Sequence, residues 1–80
     1  MKESKYLIFN LFEKKEKTNI YEVISYLHGD QLGIIKWFGR WRQYAFFPHQ
    51  GTAWNKECLR DIILFIQTLM EDRKNRNDKT

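Results

Sequence analysis

The chain has 80 residues, a formal net charge of +4, 42% hydrophobic and 16% aromatic content, one Pro and one Cys. That length fits one domain, 1–80, with a stability of about 3–5 kcal/mol. One cysteine excludes an intrachain disulfide, and two histidines are too few for a closed structural zinc site within one chain. The aromatic content excludes a disordered chain, and the short apolar runs exclude a membrane-spanning helix. Residues 1–5 have no apolar stretch of the kind a secretory signal carries, so a cytoplasmic protein is expected.

The basicity is uneven. Residues 1–18 carry +2, residues 73–80 carry +3, and the body between them carries −1. Residues 1–5 and 74–80 are expected to be flexible ends, where solvated charge is common. Within the body, residues 31–55 hold Lys36, Arg40 and Arg42 and no acidic residue.

In chain order, residues 6–13 are apolar enough for a strand or a short amphipathic helix, and a strand is preferred because it widens a very small sheet. The charged residues 14–19 form a loop. Residues 20–27 are rich in Ile, Val and Tyr and predict a strand, ended by the turn 28–31. Strands 32–38 and 41–47 follow, joined by a hairpin turn at Gly39-Arg40, and residues 48–54 lead to a helix. Asn55 is a fitting N-cap for a helix over 55–73, with Trp54 and Leu59 at the spacing of a hydrophobic staple. Apolar residues at 59, 62, 63, 66, 69 and 70 follow the helical period, widened by Cys58 and Phe65, so Ile63 is expected in the core. The fold class is therefore α+β: a three- or four-stranded antiparallel meander with one C-terminal helix packed on one face.

The two central strands are apolar on both sides. One face of 32–38 has Leu32, Ile34, Lys36 and Phe38, and the other has Gly33, Ile35 and Trp37. Strand 41–47 puts Trp41, Gln43, Ala45 and Phe47 on one face, with Arg42, Tyr44 and Phe46 opposite. One helix covers one face, which predicts an uncovered face bearing aromatic and basic side chains.

No catalytic constellation can be assembled. There is no phosphate-binding glycine loop, no His-Glu-x-x-His and no nucleophile elbow, so no enzyme, cofactor or metal site is expected. His28 and His49 read as loop residues, and Cys58 as a buried, inert thiol. The segment 36–44 interleaves basic and aromatic residues, and Lys36, Arg40, Trp41, Arg42 and Tyr44 are the candidate partner-binding residues. Such a set can anchor a protein interface, or stack unpaired bases while neutralising phosphates, or be core aromatics with arginines stacked on them.

The ordered run Leu32-Gly33-Ile34-Ile35-Lys36-Trp37, Trp41-Arg42-Gln43-Tyr44, Phe46-Phe47-Pro48, Cys58-Leu59, Asp61-Ile62 and Phe65-Ile66 resembles a group of small proteins of bacteriophages, prophages and mobile elements. The resemblance spans about residues 20–70. It implies an origin in mobile DNA and a β-rich domain with a C-terminal helix, and it brings no catalytic residue. Short phage proteins of this kind often act by binding, including as inhibitors of host defence complexes. The expected function is thus a non-enzymatic accessory protein that binds a host or defence-system protein through the 36–44 hairpin. A single-stranded nucleic-acid binder is the alternative, and a homodimer through the uncovered face could accompany either.

Overall fold

The structure, a computed structural model, describes residues 5–77; of the expected flexible ends 1–5 and 74–80, residues 1–4 and 78–80 lie outside the described residues. Four strands, β1 (Leu7–Lys14), β2 (Asn19–Ser25), β3 (Gln31–Phe38) and β4 (Gln43–Pro48), precede one helix, α1 (Lys56–Asn77). The strands pair antiparallel in the order β1-β2-β3-β4, a simple meander. The fold is the expected α+β class, with residues 6–13 a strand rather than a helix.

Alternation places Leu7, Val23, Ile35 and Tyr44 on the face beneath α1, where they form the core with Cys58, Ile62 and Phe65. Rings join the two layers. Phe65 stacks on Phe9 at 4.4 Å and meets Tyr21 edge-on at 5.1 Å, while Trp54 packs edge-on against Phe46 at 4.9 Å. At the far end of the helix, the Arg73 guanidinium lies 4.2 Å from the centre of the Trp37 ring and donates to the Lys17 carbonyl at 3.3 Å. An arginine does stack on a core-edge tryptophan, but it comes from α1 and not from the hairpin.

Asn55 caps α1 as expected, its Oδ1 accepting from the Cys58 N–H at 2.8 Å. The helix runs to Asn77, past the predicted end at 73 and into the expected flexible segment. Its rotation also differs from the sequence expectation. The buried line is Cys58, Ile62 and Phe65, whereas Ile63 is 55% exposed and Leu59 43% exposed. Phe65 decides this, because its ring fills the space between Phe9 and Tyr21. Turning Ile63 inward would turn that ring out, since consecutive helical residues lie about 100° apart. Trp54, at the start of the helix, packs on Phe46, and its Nε1 donates to Thr52 Oγ1 at 2.8 Å.

Two departures concern register. The β2–β3 ladder passes from Val23↔Gly33 to Ile24↔Gln31, so Leu32 is an extra residue that packs against the core instead of joining Ile34. The β3–β4 hairpin pairs Phe38 with Gln43 across a four-residue loop, 39–42, so Trp41 and Arg42 belong to the loop and not to a strand. Gly33 has no room for a side chain: a Cβ there would sit 2.7 Å from the Phe47 carbonyl oxygen and 2.8 Å from Phe46 Cε1.

Chemical denaturation should separate the two helix positions. Phe65→Ala is expected to cost about 3–5 kcal/mol, close to the whole stability of a domain this size, and Ile63→Ala less than about 1 kcal/mol.

Candidate binding surface on the open sheet face

The face opposite α1 is built by the alternate residues of each strand. It carries Ile8 from β1, Ile20 and Ile24 from β2, Ile34, Lys36 and Phe38 from β3, and Ala45 and Phe47 from β4. Among the described residues no element packs over it, and β1 takes an edge position in the sheet instead of folding across that face. These side chains are half-buried by one another, with Ile8 slightly more open.

At the hairpin end the face becomes aromatic and basic. Trp41, 63% exposed, meets the Phe38 ring edge-on at 4.8 Å, and Phe38 meets Phe47 at 6.0 Å. The Lys36 ammonium lies 5.1 Å from the centre of the Phe47 ring. Arg40 and Arg42 stand exposed in the loop beside Trp41. Among the described residues, none of these three cations lies within ion-pairing distance of a carboxylate. On this face the Glu22 carboxylate accepts from Gln31 Nε2 at 2.9 Å, and Gln31 Oε1 in turn accepts from His49 Nε2 at 2.7 Å.

The loop is held tightly. The Trp41 N–H donates to the Phe38 carbonyl at 3.1 Å and the Arg42 N–H to the Gly39 carbonyl at 3.2 Å, a helical turn that Arg42 closes with a φ of 55°. A side chain in the left-handed region costs of order 1 kcal/mol. Glycine would fill this position without that cost, so the arginine is present at the expense of local strain.

Of the five residues expected to contact a partner, four share this end: Lys36, Arg40, Trp41 and Arg42. Tyr44 does not join them. It is 5% exposed beneath α1, edge-on to Trp37 at 5.6 Å, and its hydroxyl accepts from the Asn19 N–H at 3.3 Å. The strand period already separated Tyr44 from Phe47, so the two could not serve one sheet face. Phe38 and Phe47 were not among the expected contacts, yet they carry Trp41 and Lys36. Their alternation with Lys36 was readable, but the pairing that brings them together required the true hairpin register.

His28 and His49 are exposed, and among the described residues no three His, Cys, Asp or Glu side chains group as metal ligands. Burial pushes the Cys58 thiol above its ordinary pKa, opposed by a hydrogen bond at the Asn55 backbone and reinforced by the charges of Asp61 and Glu57. Among the described residues, no helix is long and apolar enough to cross a membrane.

Fold and surface together define a small sheet-and-helix protein whose distinguishing feature is an uncovered, partly basic face. Over 59 residues the chain is 37% identical to an uncharacterised 9.3 kDa protein of Acholeplasma phage L2, which covers 74% of this chain and 76% of that one. The chain belongs to that phage protein family. No protein-family model matches it, and no solved structure matches it.

Two outcomes follow. Arg42→Gly should raise the denaturation midpoint, by up to about 1 kcal/mol of added stability, as the left-handed position loses its side chain. The Cys58 thiolate fraction is lowered near neutral pH, so alkylation of the native protein should be much slower than alkylation after unfolding.

Proposed function

We propose that this phage-family protein is a non-enzymatic accessory factor that binds a host or defence-system protein through the basic, aromatic end of its open sheet face. The observation that carries the reading is Trp41. A tryptophan 63% exposed, braced by Phe38 and flanked by Arg40 and Arg42, has the composition of a binding hot spot. Its position at the margin of an apolar floor supports the same reading, because a protein partner can bury Ile34, Phe38 and Phe47 while the cations meet carboxylates at the rim. The strain accepted at Arg42 supports it as well, since such outliers concentrate at functional sites. An inhibitor would need nothing more than this: occupying a surface is enough to block it.

Single-stranded nucleic acid is the second reading, favoured by the row Trp41, Phe38 and Phe47 beside three cations. The aliphatic floor of Ile8, Ile20, Ile24 and Ile34 weighs against it, because phosphates and bases gain little from isoleucine.

The test is affinity capture from host lysate with tagged wild-type protein and with a Trp41→Ala, Arg40→Ala double variant, each with and without nuclease. A specific protein retained after nuclease and lost with the variant is expected, the affinity falling by roughly thirtyfold or more. Capture that disappears on nuclease treatment, together with oligonucleotide binding whose log–log salt slope is near −2, would move the function to nucleic acid. Equal capture by both proteins would remove the surface from consideration.

A further inference from the structure

Helix α1 carries two apolar lines, and the core uses one. The line that meets the sheet, Cys58, Ile62, Phe65 and Leu69, repeats at spacings of four, three and four, and so does the line beside it, Leu59, Ile63, Ile66 and Met70. The second line lies about 100° round the helix from the first, along its flank. Ile66 and Met70 are half-buried there, while Leu59 is 43% and Ile63 55% exposed. Phe65 reaches β1 and β2 from the opposite flank, whereas Arg73, one turn beyond Met70, reaches Trp37 of β3. The exposed line therefore looks out over β3 and β4. Its spacing is that of the seam along which two helices pack side by side.

The charge beside this seam has one sign. Lys56 and Lys74 lie within about 50° of it at its two ends, and Arg60 stands about 90° away. All three are exposed, and among the described residues none lies within ion-pairing distance of a carboxylate. Glu57, Asp61, Glu71 and Asp72 fall about 110° or more from the seam.

We propose that this flank of α1 docks an amphipathic helix of a partner protein whose own flanks are acidic, packed beside α1 as in a short coiled coil. From Leu59 to Met70 the seam is about 16 Å long, which about three turns of partner helix would cover. Charge excludes a second copy of this chain. An antiparallel pair using the whole seam, with Ile63 against Ile66, sets Lys56 against Arg73, and a parallel pair sets Lys56 and Lys74 each against itself. Shape excludes a bilayer. The crown of the helix, opposite the core line, holds Arg60, Gln67 and Glu71, so a flat surface meets polar groups before it reaches the seam.

The seam lies on the helix side of the sheet and Trp41 on the other, so the test is independent of the reading given to Trp41. The probe is a labelled peptide of about three heptads with Leu at positions a and d and Glu at e and g, titrated with the full chain by fluorescence anisotropy beside a peptide with Lys in place of Glu. The Glu peptide is expected to bind at least tenfold more tightly than the Lys peptide, to lose about tenfold in affinity with Ile63→Gln, and to be unaffected by Trp41→Ala. Lys56→Glu combined with Lys74→Glu should reverse the preference. These exposed charge exchanges keep the test valid if Ile63→Gln fails to fold, which circular dichroism will report. No binding, equal binding of both peptides, or binding that survives Ile63→Gln in a folded protein would overturn the proposal. So would a self-dimer in sedimentation equilibrium, or capture by phosphatidylserine vesicles, that Ile63→Gln abolishes, because the seam would then belong to a second copy or to a membrane.

Discussion

A pleated sheet has two faces, and α1 can cover one. The chain spends its helix on the side where Phe65 wedges between Phe9 and Tyr21, and the rest of the architecture follows from that packing. With β1 used to widen the sheet, the isoleucines and the Trp41–Phe38–Phe47 row stay at the surface. A larger protein would bury that face under a second layer. In this one, among the described residues, the layer stays uncovered, with the core packed behind it.

The two ends of α1 are fixed by different means. At its start the Asn55 cap and the Trp54–Phe46 contact join helix to β4. Towards its end Arg73 reaches back over Trp37 and to the Lys17 carbonyl, tying the helix to β3 and to the loop between β1 and β2. Trp37 and Trp41, four residues apart, thus take opposite roles: the first is covered by an arginine of its own chain, the second stands open beside two. Basic-aromatic composition alone does not distinguish them.

The end of the open face proposed to bind combines three elements. Phe38 and Phe47 belong to paired strands and position a firm aromatic floor. Trp41 leans on that floor from a short, hydrogen-bonded loop, so under the proposed reading little conformational freedom is left to lose on binding. Arg40 and Arg42 are exposed in the same loop, suited in that reading to meeting charge at the rim, where electrostatics governs encounter more than affinity.

Much of this was written into local sequence. Strand and turn chemistry located three strands of the meander and favoured a fourth over 6–13, Asn55 marked where the helix starts, and period-two alternation divided β3 and β4 into two apolar faces. These are short-range properties, decided by backbone preference and by neighbours a few residues away. The rotation of α1, the extra residue at Leu32 and the four-residue hairpin loop were not legible, and neither was the meeting of Arg73 with Trp37. Each depends on which large side chains fit together across layers, and a one-dimensional pattern with apolar residues on nearly every side of the helix permits several fits. Sequence determined that a greasy sheet face would remain; only packing decided that Tyr44 would be buried and that Phe38 and Phe47 would stand with Trp41 in the open.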